Sequence, residues 1–266
     1  METAVAVTIG GSDNSAGAGI QADLKAFTHF KVYGQTVVTC IVAELPGVVR
    51  SIQPVEARVI RDQLELSLMH LPVAAIKTGM IFNRENIDLV CDTYEMILQP
   101  ERPFLVVDPV MIATSGYPLV QPDAIGRYKS RLFPIAGVIT PNLDETSAIL
   151  GEQVNSLDAM REAARRLYDE YGVPFLLKGG HLKTDSAVDY LIDSEGLHEF
   201  SEPYCHSIST HGTGCTYSAA ITANIALGLP LRAAVGVAKK YVTRAIMDSF
   251  RWATRGSEVF ALRHFW

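Results

Sequence analysis

Short apolar runs alternate with longer helical patterns along nearly the whole chain, and this alternation limits the folds available to it. The predicted strands are Val5–Ile9, Thr36–Val42, Ala74–Lys77, Phe104–Val107, Gly137–Thr140 and Phe175–Leu177. The predicted helices are Ala18–Phe30, Val55–Met69, Arg84–Leu98, Pro122–Leu132, Leu157–Tyr171, Thr213–Leu227 and Leu231–Ser249. Repeated strand–helix pairs predict an α/β fold with a mostly parallel central sheet and helices on both faces.

The predicted strands are continuously apolar, as expected when helices cover both faces of a sheet. Val188–Ile192 and His198–Phe200 flank a turn at Asp193–Gly196 and predict a small hairpin, the one antiparallel element we expect. The sequence contains no linker, low-complexity tract or internal repeat, and its 266 residues suit one large α/β domain. We therefore predict a single domain spanning residues 1–266.

Composition and charge narrow the class of protein. The net charge is −6 and no Lys/Arg run occurs, which argues against a nucleic-acid partner. None of the four cysteines belongs to a C-x-x-C pair, and scattered cysteines suit a reducing compartment. The N-terminus lacks the pattern of a signal peptide, and no apolar run approaches the roughly 18 residues that span a bilayer. We expect a cytoplasmic protein with no membrane partner.

A glycine-rich loop at Gly10–Gly19 follows a predicted strand and precedes a predicted helix. Glycines let the backbone approach a ligand closely, and a helix N-terminus favours an anion or a polar group. The loop has neither the Gly-Lys-Ser/Thr of a Walker A motif nor a full G-x-G-x-x-G pattern. A plain flexible turn is the alternative. Asp23, one turn into the helix, is either a ligand contact or a solvated residue favoured by the helix dipole.

A second small-residue loop, Ser209–Cys215, opens directly into an apolar helix. Its residues Gly212, Thr213, Gly214 and Cys215 can point successive N–H groups at one spot, a suitable anion hole for a transferring phosphoryl group. At a helix start we expect the thiol pKa of Cys215 to be lowered, so that a thiolate takes the proton from an attacking hydroxyl. The alternative is a small helix residue without a chemical role.

Other predicted strands also end in polar residues. Asn142 and Glu145 form either a helix cap or a water-mediated Mg²⁺ site. Asp108 is either a turn residue before proline or a group that positions Mg²⁺ or the nucleophile. Lys178 can reach a phosphate as a point charge or remain a surface lysine. For Lys239, in the last predicted helix, a solvated face is the default expectation.

Taken in order, these segments resemble the ribokinase superfamily and, within it, the hydroxymethylpyrimidine/phosphomethylpyrimidine kinases of thiamine biosynthesis. The matching segments are Thr8–Asp13, Gly17–Lys25, Lys77–Met80, Asp108–Met111, Ile139–Leu143, Lys178–His181 and Thr210–Thr216. Each is weak alone, but the combination is specific and covers nearly the whole chain. The resemblance implies a ribokinase-like fold, ATP and Mg²⁺, a small-molecule substrate with a hydroxymethyl group, and a homodimer.

The resemblance also implies residue roles. Cys215 falls at the position of the base, where sugar kinases of the superfamily carry Asp, and Gly212, Thr213 and Gly214 form the catalytic loop beside it. The implied substrate-binding residues are Gly11, Asp23, Glu44, Met80, Val107 and His211. The implied ATP-binding residues are Asn142, Lys178, Thr213 and Lys239, and the implied metal ligands are Asp108 and Glu145.

One departure from the family pattern affects the substrate. The family usually has Ala-Gln-Asn-Thr after the second strand, whereas this chain has Ala43–Gly47 with Glu44 at the Gln position. Glu44 can accept a hydrogen bond from an exocyclic amine but cannot donate one while ionised. Vitamin B6 kinases of this branch also differ there, so pyridoxal or pyridoxine is the main alternative substrate. A catalytically silent ligand sensor and a sugar kinase are further alternatives, disfavoured by the intact Gly212–Gly214 loop and by Cys215 respectively.

Overall fold

A computed structural model of the chain describes residues 3–111, 119–121, 123–182, 185–205, 211–254 and 257–266. Within these ranges the main sheet contains nine strands: β1 (Val5–Asp13), β2 (Tyr33–Leu45), β3 (Val48–Pro54), β4 (Val73–Thr78), β5 (Phe104–Val107), β6 (Val138–Ile139), β7 (Phe175–Lys178), β8 (Ser186–Asp193) and β9 (Gly196–Pro203). The helices are α1 (Gly19–His29), α2 (Ala57–Met69), α3 (Arg84–Met96), α4 (Ala124–Arg127), α5 (Leu143–Leu150), α6 (Leu157–Tyr171), α7 (Thr213–Ala226) and α8 (Leu231–Met247). A separate hairpin pairs β10 (Phe250–Thr254) with β11 (Ser257–Ala261).

The strand order of the main sheet is β3-β2-β1-β4-β5-β6-β7-β8-β9. All neighbours from β2 to β7 in this order are parallel. Antiparallel pairs occur at the two edges, where β3 joins β2 and where β8 and β9 follow β7. The prediction of a mostly parallel sheet is confirmed. Because parallel strands share one carboxyl edge, the loops that follow β1, β4, β5 and β7 meet there.

Alternating strand residues place the two larger clusters of the core on opposite faces of the sheet. Val7 and Ile9 of β1 belong to the cluster that contains buried residues of α2, α3 and α6. Ala6, between them in sequence, belongs to the cluster built with α1, α7 and α8. The prediction of helices on both faces is confirmed, and α1 and α7 lie on the same face.

Two antiparallel hairpins were not predicted. The pair β2–β3 sits at the edge of the main sheet, and β10–β11 forms its own sheet. Most side chains of β3 are exposed, so no continuous apolar run marks this strand in the sequence. The expectation that the hairpin at Val188–Phe200 would be the one antiparallel element is therefore wrong. The hairpin itself is present, and it is longer than predicted at both ends.

The observed helix boundaries agree best with the predicted ones where capping residues mark the ends of the helix. α6 has its predicted bounds, since the Ser156 side chain accepts a hydrogen bond from Ala159 N at its start and Gly172 takes φ 67° at its end. The single helix predicted at Pro122–Leu132 is instead the short α4 followed by a π-helical turn at Tyr128–Leu132, and Pro122 itself lies outside the described residues. In the described part of the chain, every helix is too short or too polar to cross a membrane.

Candidate active site

The carboxyl edge of the sheet and the N-terminus of α7 border a cavity of about 880 Å³. Nearly all of the residues predicted to act on ligands line it: Gly11, Asp23, Glu44, Met80, Asp108, Asn142, Glu145, Lys178, His211, Gly212, Thr213, Gly214, Cys215 and Lys239. Parallel-sheet topology explains this convergence, because each strand delivers its following loop to the same edge. Residues separated by 200 positions in sequence, such as Gly11 and His211, thus share one cavity.

Val107 is the predicted substrate-binding residue that the structure does not bring to the cavity wall. Its side chain is fully buried in the core cluster with α2, α3 and α6. Consecutive strand residues point to opposite faces, and Asp108, the next residue, reaches the cavity. This placement corrects the expectation that Val107 lines the substrate site.

The first turn of α7 is held against the glycine-rich loop. Gly212 caps the helix with φ 80°, and a Cβ there would lie 1.8 Å from the carbonyl oxygen of Gly17. Glycine is therefore required at this position for both backbone conformation and space. The Thr213 hydroxyl is buried and has no hydrogen-bond partner among the described residues. An orphan donor at a helix N-terminus is the arrangement expected where an anion binds. We call residues Gly212–Cys215 the anion site.

Cys215 completes the anion site and is partly exposed. Burial raises the pKa of its thiol to about 11, and the negative charges of Asp23 and Asp108 act in the same direction. The ammonium of Lys77 and the N–H of Gly19 oppose this shift without cancelling it. The expectation of a lowered pKa is therefore wrong: desolvation outweighs the favourable position at the start of a helix.

Lys77 is a buried cation that the sequence interpretation did not single out. Its ammonium lies 2.8 Å from both carboxylate oxygens of Asp23, and the Thr8 hydroxyl donates a 2.6 Å hydrogen bond to the same carboxylate. Although burial opposes its charge, Asp23 raises the pKa of Lys77, so the lysine stays protonated. Asp23 thus reaches the cavity wall already paired. A lysine that ends an otherwise apolar strand was the available signal.

A second ion pair lies at the end of β5. Lys178 Nζ is 2.8 Å from Asp108 Oδ1, and the Ser218 hydroxyl on α7 donates a 3.0 Å hydrogen bond to Asp108 Oδ2. Burial opposes the charge of Lys178, but the charge and hydrogen bond of Asp108 raise its pKa. The lysine is therefore a fixed cation beside the anion site rather than a free surface residue. A Cβ on Gly214 would lie 3.2 Å from its ammonium.

Asn142 and Glu145 form a capping box at the start of α5. Asn142 accepts from Glu145 N at 2.9 Å, and Asn142 N donates to Glu145 Oε2 at 2.8 Å. The helix cap, one of the two alternatives for this pair, is thus present in the structure. Both residues also line the cavity. Burial raises the pKa of Glu145 to about 8, Asp108 adds to the shift and Lys178 opposes it. The carboxyl group is therefore largely protonated near neutral pH.

Lys239 is not on a solvated face. It is buried, its ammonium lies 2.7 Å from Asp189 Oδ2, and it sits 5.9 Å from the centroid of the Tyr217 ring. Asp189 is held in turn by the N–H of Gly179. The sequence interpretation missed Asp189 because it lies inside a strand, on β8, rather than at a strand end. This corrects the default expectation for Lys239.

The wall of the same cavity also contains an apolar slot and a polar cluster. The apolar slot consists of Gly11, Val42 and Met80 with Cys40 packed against them; a Cβ on Gly11 would lie 3.0 Å from Cys40 Sγ. Burial raises the pKa of Cys40 to about 11, so this wall is uncharged. A flat ligand fits such a slot because glycine leaves the space that a side chain would fill.

Glu44 belongs to the polar cluster of this wall, together with Asp13 and His211. Their ligand atoms lie within 4.8 Å of one another, and His211 Nε2 is 3.3 Å from Asp13 Oδ2. Burial and the charge of Asp13 raise the pKa of Glu44, while His211 opposes the shift. Among the described residues, this cluster and not one around Asp108 and Glu145 brings three metal-type ligands together. Asp13 lies 198 residues from His211 in sequence, so their contact could not be predicted from the sequence.

The fold and the site define an α/β enzyme of the ribokinase-like class, with an anion site at one helix N-terminus and an apolar slot in the same cavity. The family described as phosphomethylpyrimidine kinase matches residues 13–259. The chain belongs to this family.

Similar proteins carry related names. A thiamine biosynthesis bifunctional protein ThiED of Geobacter sulfurreducens is 42% identical over 240 residues, which cover 90% of this chain and 48% of that protein. The chain thus spans about half the length of that relative. A hydroxymethylpyrimidine/phosphomethylpyrimidine kinase of Rhizobium meliloti is 40% identical over 250 residues, covering 94% of this chain and 92% of the relative.

Two solved structures have similar folds. A pyridoxal kinase of Staphylococcus aureus in complex with AMP-PCP and pyridoxal has a TM-score of 0.88 and 33% identity, covering 99% of this chain and 94% of that one. A phosphomethylpyrimidine kinase of Clostridium difficile has a TM-score of 0.78 and 36% identity, covering 91% of this chain and 99% of that one. The ribokinase-like fold that the resemblance implied is confirmed.

Proposed function

We propose that this chain transfers the γ-phosphoryl group of ATP to the hydroxymethyl group of 4-amino-5-hydroxymethyl-2-methylpyrimidine, and then phosphorylates the monophosphate, in thiamine biosynthesis. One observation carries the proposal: the anion site, with the orphan hydroxyl of Thr213, and the apolar slot open into the same cavity. The family and the names of its relatives support both phosphorylations.

The nucleotide binds, in this proposal, along the part of the cavity that runs from the anion site towards α8. Lys178 supplies a fixed positive charge for the phosphates, and Thr213 supplies a hydroxyl that has no other partner among the described residues. Asn142 and Lys239 line the cavity and are the further residues we assign to ATP. The complex of the S. aureus relative with AMP-PCP supports nucleotide use by this fold.

Cys215 is the proposed base. Its thiolate form takes the proton of the acceptor hydroxyl while that oxygen forms a bond to the γ-phosphorus and the bond to the bridging oxygen of ADP breaks. The amides of Gly212 and Gly214 stabilise the charge that develops on the phosphoryl oxygens. The ammonium of Lys77 favours the thiolate, since its charge lowers the pKa of Cys215. The proton leaves Cys215 for solvent after transfer.

The donor set around Lys178 fits Mg²⁺. Magnesium in kinase sites is held by one or two carboxylates together with substrate phosphates, and Asp108 and Glu145 line the same cavity as Lys178. These two residues would hold the ion. Bound Mg²⁺ supplies positive charge that neutralises the phosphates during transfer. Lys178 and Ser218 keep Asp108 ionised, because both donate hydrogen bonds to its carboxylate.

Acceptor recognition rests on Glu44 and the apolar slot. In the proposal the pyrimidine ring lies against Gly11 and Met80, and the Glu44 carboxylate accepts a hydrogen bond from the exocyclic amine. Asn14 fixes the backbone of Glu44, because Glu44 N donates a 2.7 Å hydrogen bond to the Asn14 side chain. His211 lies beside both carboxylates of the polar cluster and is the second polar group near the ring.

Pyridoxal is the second candidate acceptor. The S. aureus relative of similar fold is a pyridoxal kinase described in complex with pyridoxal. Glu44 also departs from the Gln typical of pyrimidine kinases. An aromatic ring with a hydroxymethyl group suits the apolar slot in either case.

An ATP-consumption assay with hydroxymethylpyrimidine, pyridoxal and pyridoxine side by side tests the proposal. We expect the highest kcat/KM with hydroxymethylpyrimidine, and we expect Glu44→Gln to keep that preference because the amide oxygen still accepts from the amine. A preference for pyridoxal in the wild type or in Glu44→Gln would refute the assignment. Absence of the diphosphate product after long incubation would refute the second phosphorylation.

We also infer a homodimer in the cytoplasm. Tyr33, Ile41, Leu45 and Val48 are exposed on β2 and β3 at the edge of the main sheet. An exposed apolar edge of this kind is usually covered by a partner. Light scattering should give twice the chain mass of 29.0 kDa, and Leu45→Glu should give the monomer. The free cysteines and the use of ATP support the cytoplasmic location.

A further inference from the structure

The C-terminal segment, residues 262–266, packs on α1, α7 and α8, the three helices that cover one face of the sheet. The Trp266 ring lies 4.6 Å from that of His29 on α1 and 5.2 Å from that of Tyr241 on α8. The Arg244 guanidinium lies 4.4 Å from the centroid of the Trp266 ring. The last residues of the chain are therefore anchored, although Trp266 itself stays partly exposed at 42%.

His264 is the buried residue of this segment. It is 3% exposed, and its Nε2 lies 3.0 Å from the hydroxyl oxygen of Thr216 on α7. Burial lowers the pKa of His264 to about 4, and the backbone of Leu262 opposes this shift without cancelling it, so the imidazole is neutral. A neutral imidazole has one donor and one acceptor nitrogen. The Thr216 hydroxyl can pair with Nε2 in either tautomer, because a hydroxyl both donates and accepts.

This hydrogen bond changes what the Thr216 hydroxyl does within α7. Another hydroxyl residue of the same helix, Thr222, donates to the carbonyl four residues earlier, at 2.8 Å. For Thr216 that carbonyl would be Gly212. A hydroxyl that bonds back to this carbonyl tends to bend a helix. The Thr216 hydroxyl is instead hydrogen-bonded to His264. The carbonyl oxygen of Gly212 accepts the helical hydrogen bond from Thr216 N at 2.9 Å.

Gly212 is the first residue of the anion site, and Thr216 directly follows Cys215, its last. We propose that His264 is a positioning residue for phosphoryl transfer: it holds the Thr216 hydroxyl away from Gly212 and so fixes the first turn of α7. The inference rests on the proposed function, because the readout is the rate of that reaction. It adds a role for the C-terminal segment, which contributes none of the residues that line the cavity in the described chain.

The test compares His264→Phe, which keeps a buried ring but accepts no hydrogen bond, with Thr216→Val, Thr216→Ser and the double variant His264→Phe/Thr216→Val. Each is assayed for kcat and for KM with ATP and hydroxymethylpyrimidine, and its folding is checked by thermal unfolding. Loss of one hydrogen bond that matters in the transition state lowers kcat about tenfold. We expect this in His264→Phe and Thr216→Val, with KM values within about threefold of the wild type.

Two further results are expected. The double variant should be no slower than the slower single variant, since both changes remove the same interaction. Thr216→Ser, which keeps the hydroxyl, should remain within twofold of the wild type. Trp266→Phe is the matched control, because it keeps a ring between His29 and Tyr241 and should leave kcat unchanged.

A His264→Phe variant that unfolds earlier but turns over normally would overturn the positioning role. So would additive losses in the double variant, or a Thr216→Val variant with normal kcat, which remains informative if His264→Phe fails to fold. Failure of the proposed function is a separate outcome, because it is seen in the wild type alone as an absence of acceptor phosphorylation.

Discussion

The ammonium of Lys77 lies 2.8 Å from both carboxylate oxygens of Asp23, and each side chain is 1% exposed. The pair joins β4 to α1 beside the cavity that Cys215 also lines. Because Lys77 lowers the pKa of Cys215, an interaction that stabilises the core also acts on the proposed base. Fold and chemistry therefore depend on the same two residues.

Replacing Lys77 by methionine should destabilise the protein strongly. The change leaves the Asp23 carboxylate buried without its partner, and breaking a buried ion pair on one side costs about 3–5 kcal/mol in the free energy of unfolding. Urea unfolding measures the loss. Arg58→Met provides the control, because the Arg58–Asp62 pair is exposed and should contribute nothing measurable. A Lys77→Met variant as stable as the control would contradict the structural role of this pair.

Glu145 should release a proton when Mg²⁺ binds. Burial raises its pKa to about 8, so it is mostly protonated at pH 7, whereas a carboxyl group must be ionised to ligate a cation. Titration calorimetry in two buffers of different ionisation enthalpy should detect release of up to about one proton per Mg²⁺·ATP bound. Glu145→Gln should abolish the release and Glu85→Gln, an exposed residue of α3, should preserve it. Equal heats in both buffers would contradict the assignment of Glu145 as a ligand.

Stability should fall in acid through His264. Its folded pKa of about 4 lies below the ordinary value of 6.5, so the unfolded chain binds the proton more readily than the folded one. The stabilisation is fully present above pH 6.5 and is lost progressively as the pH falls towards 4, by about 3 kcal/mol at most. Lys25 and His29 are the cationic groups that face His264 and oppose its protonation. Urea midpoints measured from pH 7.5 to 4.5 test this.

The comparison variant for this pH dependence is His264→Phe. It should lose the part of the pH dependence that lies between pH 6.5 and 4, whatever its absolute stability. Parallel pH curves for the wild type and the variant would mean that His264 titrates normally in the folded state.

The sequence predicted those elements whose local pattern and tertiary role agree. Phe104–Val107 is a buried strand with continuous apolar residues, and α6 has a serine cap and a terminal glycine. β3 could not be predicted in the same way, because its exposed side chains carry no burial pattern and pairing with β2 holds it in place. Likewise, the sequence pattern at Tyr128–Leu132 is that of a regular α-helix, whereas the structure has a π-helical turn there.

For the candidate site, strand-end residues predicted the location but not the electrostatics. Cys215 was expected to have a lowered pKa from its helix position alone, and only the tertiary structure adds the burial that reverses the shift. Lys239 was expected in solvent, yet Asp189, 50 residues away in sequence, holds it in the cavity wall. Partners brought together by the fold leave no periodic trace in the sequence, and such contacts could not be predicted from one chain.

The most direct test of the account is the rate of hydroxymethylpyrimidine phosphorylation by Cys215→Ala, measured against the wild type over pH 7–9. We expect kcat to fall by about 10²–10⁴, with ATP affinity preserved, since the anion-site amides and Lys178 remain. Because burial raises the pKa of Cys215 to about 11, the wild-type kcat/KM should rise with pH over this range, and the residual rate of the variant should not. A Cys215→Ala variant with near-normal turnover, or a wild-type rate that stays flat with pH while Cys215→Ala follows it, would contradict the proposed role of this thiol.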